Sequence, residues 1–494
     1  MPFNVTDAHQ AIFDAAATGG GNIIIQAVAG SGKTATLGEL TKRLYAAGDP
    51  GTVAYTSFAK RNVEDAKARF DARVVCGTMH SLGLKGITRA SKARPRVDGG
   101  KVRKALYKLI SKDAVREYGS HVAALVGAAK SQGLVPADMP GVEGPICDTP
   151  EAWEELIERF DLTLPDEKQC VKLARRVLEE GLRDLSTVDF DDMLYVPVVM
   201  DLELQRYDWL LVDEAQDLNP VQRAMISMLL TENGRLVAVG DSRQAIYAWR
   251  GADSDALAQI KSDFGCAEYP LSTSYRVCRA VEGLAREIVP HFRVHDDNAP
   301  GTVSRADVVS SRDFGARDLI LCRNNAPLVK LAFRLIRERV PCQVLGRDLA
   351  GGLTAIVNRL KPVDLFDLSE KLNIYEERET AKLLAQDREP AVGALKDKCD
   401  VLRLFVAESE DVDTMIREIQ DFFADTQGRG KLTLSTVHKA KGGEADVVWI
   451  LDEHLMPSRY AKTPEARLQE QNLMYVAYTR AKKALRFVEG DNVI

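Results

Sequence analysis

Apolar and polar positions follow two different periods over the first 84 residues of the chain. Short apolar runs at 22–27, 52–56 and 73–76 are rich in β-branched residues, which favours β-strands. Between them, 35–47 and 60–70 carry apolar residues at the three- and four-residue spacing of an amphipathic helix. Because strands that alternate with helices are typical of a parallel sheet, this pattern predicts an α/β fold.

The alternation of strands and helices is interrupted twice further along the chain. After the first long helical stretch, strand-like runs return at 207–212, 235–239 and 318–322. After the second, they return at 432–438, 446–451 and 485–488. We therefore predict two discontinuous α/β domains, each interrupted by a mainly helical insertion. The predicted bounds are 1–84 with 186–272 for the first α/β domain, 85–185 for its insertion, 273–345 with 429–494 for the second α/β domain, and 346–428 for its insertion.

A glycine-bearing turn joins the first predicted strand to the helix that follows it. Its sequence is Ala27-Val28-Ala29-Gly30-Ser31-Gly32-Lys33-Thr34. In this context the glycines allow backbone N–H groups to converge on phosphate oxygens, and the helix N-terminus favours negative charge. Lys33 is expected to reach the β- and γ-phosphates, and the Thr34 hydroxyl to bind Mg²⁺. The turn therefore predicts a site for a nucleoside triphosphate.

Two later motifs add acidic, amide and aromatic groups to this picture. The apolar run 209–212 ends in Asp213 and Glu214. At the carboxyl edge of a parallel sheet, Asp213 is expected to hold Mg²⁺, and Glu214 to orient and deprotonate an attacking water. After the next strand, Gln244 is placed to sense the γ-phosphate. Trp249 beside Arg250 offers a flat aromatic face next to a cation, which suits stacking on a nucleic-acid base.

The charge of the chain is slightly acidic but uneven. The 494 residues carry a formal net charge of −6, which is not typical of a nucleic-acid binder. Segment 85–112, here called the basic stripe, nevertheless contains ten Lys or Arg residues and a single acidic residue, Asp98. The basic stripe is either a surface that neutralises nucleic-acid phosphates or a merely solvated surface.

The spacing of the cysteines and the length of the apolar runs indicate the cellular compartment. The eight cysteines are scattered, and none forms Cys-x-x-Cys, which disfavours zinc and iron–sulfur sites. No apolar run reaches the ~18 residues of a membrane span, and the N-terminal residues lack the pattern of a secretory signal. We expect a cytoplasmic protein without a membrane partner.

The order of these motifs resembles that of superfamily-1 DNA helicases of the UvrD/Rep (PcrA-like) type. The segments that carry the resemblance are the phosphate loop, 212–217 (Val-Asp-Glu-Ala-Gln-Asp) and 239–252, which contains Ile-Tyr-Ala-Trp-Arg-Gly-Ala. Further similar segments lie at 6–10, 56–60, 77–82, 189–193, 274–276, 434–444 and 473–481. The chain resembles a compact member of that family with short insertions.

The resemblance implies two RecA-like domains, with ATP and Mg²⁺ bound in the cleft between them. It implies that Gln10 reads the adenine edge and Tyr275 stacks on adenine. It further implies that Glu444 contacts the ribose, that Arg276 touches the γ-phosphate and that Arg480 is an arginine finger. The catalytic groups are then Lys33, Asp213, Glu214, Gln244, Arg276 and Arg480, with Thr34 and Asp213 on the metal.

The resemblance also implies a set of DNA contacts. These are Phe58, His80, Trp249, Arg250, Thr436, His438 and Tyr460. Tyr460 stands where the family places the tip of a strand-separating pin. The form of the 239–252 segment is similar to the 3′→5′ branch of the family. We therefore expect an ATP-dependent 3′→5′ DNA helicase or translocase, working as a monomer on single strands and at single-strand/duplex junctions.

Two other functions stay open. One is an RNA or RNA–DNA hybrid helicase. The other is an ATP-gated nucleic-acid sensor that partners an effector and unwinds nothing, which the short insertions motivate. A small-molecule kinase would account for the phosphate loop but has no need of Trp249, Arg480 or a second α/β domain.

Overall fold

The structure is a computed structural model. It describes residues 4–57, 59–137, 139–160, 162, 164–246, 255–386, 388–424 and 431–493, with the backbone alone at 347–348. Internal contacts divide the chain into two units. The first consists of Met1–Ala27 and Gly32–Leu271, and the second of Val28–Ser31 and Ser272–Ile494. Each unit contains one of the two predicted α/β regions.

The first unit alternates strands and helices around a long helical stretch. Its strands are β1 (Ile23–Ala27), β2 (Val53–Ser57), β3 (Val75–Gly77), β4 (Arg96–Val97), β5 (Leu134–Val135), β6 (Ile146–Cys147), β7 (Thr187–Val188), β8 (Tyr207–Asp213), β9 (Leu230–Gly240) and β10 (Ala267–Leu271). Its helices are α1 (Asp7–Thr18), α2 (Lys33–Ala47), α3 (Lys60–Lys67), α4 (Met79–Ser91), α5 (Lys101–Leu109), α6 (Lys112–Gln132), α7 (Pro150–Arg159), α8 (Glu167–Arg183), α9 (Asp192–Val199), α10 (Pro220–Leu229) and α11 (Ala256–Asp263).

Six of these strands form one sheet, in the order β10-β1-β9-β8-β2-β3, and every neighbouring pair is parallel. The strands predicted at 22–27, 52–56 and 207–212 are confirmed to within one residue at each end. By contrast, β9 begins at Leu230, five residues before the predicted start at 235. A register irregularity in its pairing with β8 accommodates the polar residues at the start of β9, which hid the strand from the apolar pattern.

Alternate residues of the central strands enter two separate apolar clusters, one on each face of the sheet. Ile24 and Leu210 belong to one cluster, whereas Ile25 and Leu211 belong to the other. A sheet covered on both faces favours apolar side chains at most positions of its strands, which explains the nearly continuous apolar runs in the sequence. The helical stretch between β3 and β8 has a further core of its own, around Trp153.

The second unit also combines a parallel sheet with helices, in a different strand order. Its strands are β11 (Thr273–Ser274), β12 (Arg293–Val294), β13 (Thr302–Ala306), β14 (Leu319–Cys322), β15 (Cys342–Val344), β16 (Leu432–Thr436), β17 (Ala445–Leu451) and β18 (Ala481–Val488). Its helices are α12 (Glu282–Ile288), α13 (Asn325–Arg337), α14 (Arg347–Leu360), α15 (Leu365–Ala385), α16 (Glu389–Glu408), α17 (Val412–Phe422) and α18 (Pro464–Tyr478).

Its main sheet has the order β13-β18-β17-β14-β16-β15, again with parallel neighbours throughout. The insertion α14–α17 lies between β15 and β16 in the chain. One continuous apolar cluster includes Leu434 and Trp449 of the sheet together with Leu372 and Phe405 of the insertion. The second insertion therefore shares its core with the sheet.

Two six-stranded parallel sheets, each interrupted by a mainly helical insertion, confirm the predicted α/β fold and are consistent with two RecA-like domains. The residue bounds proposed for the four domain segments stay predictions. Among the described helices, none has both the length and the apolar character needed to span a membrane.

Candidate nucleotide and nucleic-acid sites

The loop after β1 has the backbone that a phosphate-binding turn needs. Gly30 and Gly32 have φ angles of +75° and +83°, a region that residues with a Cβ rarely adopt. Gly32 is the N-cap of α2, so Lys33 and Thr34 lie in the first turn of that helix. A helix N-terminus with exposed N–H groups and a lysine in its first turn suits a bound anion.

Parallel register brings the ends of several strands to one edge of the first sheet. Asp213, the last residue of β8, pairs with Ser57 of β2 and with Val239 of β9. Gly240, the last residue of β9, pairs with Gln26 of β1. The residues that follow β8 and β9 therefore lie at the same edge of the sheet as the end of β1.

Lys33 places a buried positive charge at this edge of the first sheet. Its ammonium group lies 2.7 Å from Glu214 Oε2, and its side chain is only 10% exposed. Burial lowers the pKa of Lys33, but the charges of Glu214, Asp213 and Asp241 outweigh burial, so that the pKa is raised overall. Lys33 is therefore held in the charged form that binds phosphate.

Asp213 is fully buried and accepts three hydrogen bonds. The Thr34 hydroxyl donates to Oδ2 at 2.6 Å, the Tyr55 hydroxyl donates to the same oxygen at 2.9 Å, and the Glu214 backbone N–H donates to Oδ1 at 2.9 Å. Burial, followed by repulsion from Glu214, raises the pKa of Asp213 in spite of Lys33. Tyr55 was not among the predicted site residues, because its only signal is its place on β2, the strand beside β8.

Gln216 joins Glu214 to Asp241 at the same edge. Its Nε2 donates to Glu214 Oε2 at 2.7 Å, and its Oε1 accepts from the Asp241 backbone N–H at 3.0 Å. Gln244 Nε2 donates to Asp241 Oδ2 at 2.7 Å, so the predicted γ-phosphate sensor belongs to this network. Asp241 and Gln216 had no predicted role, although both stand in the motifs that carry the resemblance.

The donor set at this edge fits Mg²⁺ and a triphosphate. Mg²⁺ prefers oxygen ligands, and Thr34 and Asp213 place a hydroxyl and a carboxylate oxygen 2.6 Å apart. Three carboxylates, of Asp213, Glu214 and Asp241, face the Lys33 ammonium, a surplus of negative charge that a divalent cation compensates. Among the described residues, the buried Ser31 hydroxyl has no hydrogen-bond partner, which suits a group that meets a ligand.

Gln10, predicted to read adenine, lies on α1. Its side chain is exposed and donates from Nε2 to Asp14 Oδ1 at 2.7 Å. The preceding residue, His9, is buried and takes part in the capping box of the helix with Thr6. The capping box fixes the start of α1, and Gln10 is left at the surface of the first unit.

Arg276 and Glu444, both predicted nucleotide contacts, form an ion pair in the second unit. Arg276 Nη1 lies 3.4 Å from Glu444 Oε2, and Lys482 pairs with the other carboxylate oxygen. Burial raises the pKa of Glu444, but Lys482 and Arg276 outweigh burial and lower it overall. Arg276 Nε is buried and has no hydrogen-bond partner in the part of the chain that the structure describes, so a donor is left for a ligand.

Arg480 lies next to the segment that carries Glu444. Its side chain is 1% exposed, and it donates from Nε to the Val476 carbonyl at 2.9 Å and from Nη1 to the Gly443 carbonyl at 3.2 Å. The structure thus connects the predicted groups Arg276, Glu444 and Arg480 within one unit. Tyr275, the predicted adenine-stacking residue, has its ring centroid 4.9 Å from that of His295.

An exposed aromatic side chain lies beside His80 on the first unit. Phe190 is 62% exposed, and its ring centroid is 6.5 Å from that of His80, in an edge-on arrangement. Burial lowers the pKa of His80, so its imidazole is neutral near pH 7. The 189–193 motif alone predicts no role for Phe190, since the sequence does not reveal whether an apolar residue is exposed.

A buried ion network holds the turn that carries Phe190. Lys130 Nζ lies 2.6 Å from Asp189 Oδ2 and 2.8 Å from Asp192 Oδ1, and Lys101 Nζ lies 2.7 Å from Asp192 Oδ2. The two aspartates also accept each other's backbone N–H, at 2.8 and 3.0 Å. Buried charges of this kind must stay paired, so the network fixes the turn and keeps the Phe190 ring outside.

The basic stripe is mostly at the surface. Nine of its ten cations are exposed, and the exception is Lys101 of the ion network. Asp98 lies 3.2 Å from Arg96 and 2.5 Å from Lys104, so these two cations share one counter-charge. Arg103 donates to the Tyr107 hydroxyl at 3.0 Å and lies over its ring.

Neutralising the basic stripe is expected to weaken binding to DNA. In a variant with Gln at Arg94, Arg96, Arg103 and Lys104, the slope of log affinity against log salt should become shallower by about 0.7 to 0.9 for each phosphate that is no longer neutralised. Because Arg96 and Lys104 share Asp98, we expect the pair Arg94 and Arg103 to account for most of the change. Fluorescence anisotropy over a salt series measures the slope, and an unchanged slope would mean that the basic stripe is merely solvated.

A cavity of about 550 Å³ in the second unit brings together three predicted DNA contacts. Thr436 at the end of β16, His438 and Tyr460 all line it, together with Arg323 after β14. Tyr460, predicted at the tip of a pin, is half-buried, and a Cβ added at Gly393 of α16 would lie 2.7 Å from its ring. Of the other four predicted DNA contacts, His80 lies beside Phe190, whereas Phe58, Trp249 and Arg250 lie outside the described residues, and all four stay predictions.

Family comparisons agree with both halves of the chain. Residues 8–265, more than half of the chain, match the UvrD/REP helicase N-terminal domain family, and residues 384–489 match the UvrD-like helicase C-terminal domain family. The chain is 26% identical to F-box DNA helicase 1 of Gallus gallus over 498 positions, covering 93% of this chain and 46% of that protein.

Two bacterial relatives extend the comparison. A probable DNA helicase II homolog of Mycoplasma capricolum is 23% identical over 440 positions, which cover 64% of this chain and 61% of that protein. A probable DNA helicase II homolog of Rickettsia felis is 22% identical over 615 positions, which cover 96% of this chain and 90% of that protein. The chain thus spans about half the length of the chicken relative and less than two thirds of the Mycoplasma one. The family matches, which fall on the two sheets and their polar edges, show that the chain belongs to the UvrD/Rep helicase family.

Proposed function

We propose that the chain is an ATP-dependent DNA helicase or translocase that moves 3′→5′ along single-stranded DNA. The observation that carries the proposal is the buried edge of the first sheet, where Lys33, Glu214 and Asp213 meet in a chain of this family. The names of the relatives, DNA helicase II homolog and F-box DNA helicase, support DNA as the substrate. The 3′→5′ direction is supported by the resemblance of 239–252 alone.

In this proposal the phosphate loop and the residues at the edge of the first sheet bind the triphosphate and activate water. The Lys33 ammonium, now 2.7 Å from Glu214, turns to the phosphates and frees the Glu214 carboxylate to accept a proton from the attacking water. Gln216, bonded to both Glu214 and Asp241, positions that carboxylate. Thr34 and Asp213 would hold Mg²⁺, whose charge stabilises the phosphate oxygens.

The second unit supplies the remaining cations. Arg276 and Arg480 offset the charge that develops on the transferred phosphoryl group, and Glu444 binds the ribose. Binding and hydrolysis then alter how the two units grip the strand, so that chemical energy becomes movement by a shift in population between two conformations. Single-stranded DNA and its junctions with duplex are the proposed partners, and a monomer suffices for the cycle.

The test is a strand-displacement assay on duplexes with a 3′ or a 5′ single-stranded tail, in the presence of ATP and Mg²⁺. We expect opening of the 3′-tailed duplex and none of the 5′-tailed duplex. Preference for the 5′ tail would contradict the direction. Equal or better opening of RNA-tailed substrates would favour an RNA or hybrid helicase. ATP turnover that single strands stimulate without any opening would favour an ATP-gated sensor.

Phe190→Ala is expected to weaken single-strand binding about tenfold, because stacking of a base on an aromatic ring contributes about 1–3 kcal/mol. The substitution removes a ring that is 62% exposed, so the fold should be unaffected. The matched control is Phe366→Ala, which removes a 73% exposed ring from α15. Anisotropy of a labelled oligo(dT) measures both variants, and equal affinities would remove Phe190 from the strand-binding surface.

A further inference from the structure

The 550 Å³ cavity of the second unit has two walls of different origin. One consists of the loops at the carboxyl edge of the sheet, with Thr436 and His438. The other is helix α16 of the second insertion, with Gly393 and Lys396. The volume lies within the range of about 300–1,000 Å³ that small-ligand sites occupy. The family resemblance assigns the first wall to DNA but assigns nothing to α16.

Helix α16 is fixed to helix α13 by a buried carboxylate. Asp397 accepts the backbone N–H groups of Asn325 and Ala326 at 2.9 Å, and the Asn325 side-chain amide at 2.8 Å. These donors lie at the N-terminus of α13, where an aspartate caps unsatisfied N–H groups and meets the positive end of the helix dipole. Together with the shared apolar core, this contact packs the second wall against the rest of the unit.

Three cations that line the cavity have no carboxylate partner among the residues that the structure describes. Lys396 and Lys398 make no ion pair there, and Arg459 bonds to the Tyr460 hydroxyl, at 2.9 Å. The two acids of the lining are already engaged, since Asp397 caps α13 and Asp400 pairs with Arg403 at 2.9 Å. Asp397 keeps one negative charge, but the three cations still leave the cavity with a net positive charge, which favours an anionic occupant.

Tyr460 lines the cavity and contacts Arg459. Its ring lies so close to Gly393 that an added Cβ would stand 2.7 Å from Cδ2. The Arg459 guanidinium lies over the ring, 5.0 Å from its centroid, and bonds to its hydroxyl. The loop is anchored behind them, because the Ser458 N–H donates to Glu470, which binds Arg323. Arg459 is thus positioned by the contact between Tyr460 and Gly393.

We infer that this cavity holds a stretch of single-stranded DNA, with Lys396, Lys398 and Arg459 bound to its phosphates and Tyr460 acting as a positioning residue. The inference rests on the proposed function and adds to it. The second insertion therefore contributes to strand binding despite its short length, because α16 forms one wall of the cavity.

The first test compares two double variants of equal charge change. Lys396→Gln with Lys398→Gln removes two proposed phosphate contacts, whereas Lys371→Gln with Lys382→Gln removes two surface lysines of α15 that pair with Asp367 and Glu379. Anisotropy of labelled oligo(dT) over a salt series should show a slope shallower by about 1.4 for the first variant, at about 0.7 per contact, and no change for the second. Strand binding by the wild type with an unchanged slope in the first variant overturns the inference alone. No strand binding by the wild type overturns the proposed function as well.

The second test is a double-mutant cycle between Gly393 and Tyr460. Gly393→Ala should displace the Tyr460 ring and with it Arg459, and should weaken oligo(dT) binding about threefold or more. In a Tyr460→Ala background, where no ring remains to be displaced, Gly393→Ala should have no further effect. Thermal unfolding of all four proteins shows that each is folded. Effects that simply add would overturn the positioning role.

Discussion

Glu214→Gln is expected to lower the kcat of strand-stimulated ATP hydrolysis about 10³-fold, within the range of about 10²–10⁴ that a general base contributes. Gln has the shape of Glu and can still accept a hydrogen bond from Lys33 and Gln216, so the site should keep its form. It cannot take a proton from water. Affinity for ATP should be retained, because Lys33, Thr34 and the glycine loop are unchanged.

The matched control for this variant is Glu64→Gln. Glu64 lies on α3 of the same unit, is 62% exposed and makes a surface pair with Lys60 at 3.6 Å. Phosphate release at saturating oligo(dT) gives kcat, and a fluorescent ATP analogue gives affinity. If Glu214→Gln keeps its kcat, Glu214 is not the base, and Asp241, joined to it through Gln216, becomes the group to substitute.

The strands of the first sheet could be predicted closely from the sequence, and the reason is physical. β1, β2 and β8 are covered on both faces, so most of their residues are apolar, whereas buried polar residues such as Ser57 and Asp213 stand at the carboxyl ends of the strands. β9 extends five residues further back than its apolar run, because an irregular pairing with β8 tolerates polar residues there. A pattern of hydrophobicity reports burial and does not report pairing.

The same distinction separates the predicted from the missed parts of the site. Lys33, Asp213 and Glu214 stand in local motifs, so their neighbourhood could be anticipated. The Tyr55 hydroxyl reaches Asp213 only through the register of β2 and β8, across 158 residues of sequence. Asp397 caps α13 from 72 residues away. Such contacts are set by three-dimensional packing, which a single sequence does not display.

The basic stripe shows how charge counting can mislead. As a sequence, segment 85–112 carries ten cations and one acid. In the fold, the Lys101 side chain points inward and pairs with Asp192, a residue 91 positions later. Asp98 forms ion pairs with both Arg96 and Lys104. The charge available to a strand is therefore smaller than the count. Lys396 and Lys398 of α16, by contrast, lie in a segment of mixed charge that drew no notice in sequence.

Arg480→Lys is expected to lower kcat about 10³-fold, the lower end of the effect of about 10³–10⁵ found for arginine fingers. Lysine keeps a positive charge but loses the planar fork that can bind a phosphoryl group and a carbonyl together. Because Arg480 is 1% exposed and bonded to the Val476 and Gly443 carbonyls, truncation to Ala would also endanger the fold. Lysine still donates to a carbonyl, so a fall in kcat without a fall in the thermal unfolding midpoint isolates the chemical role.

Arg486→Lys is the control that separates this role from packing. Arg486 lies on β18 close to Arg480 in sequence, with its guanidinium 4.9 Å from the Trp449 ring, and has no proposed phosphate contact. Its substitution should leave kcat unchanged. If Arg480→Lys also leaves kcat unchanged, Arg480 serves only to bind the Gly443 carbonyl and hold Glu444 in place. The cation that meets the phosphoryl group must then be Arg276, whose buried Nε has no hydrogen-bond partner among the described residues.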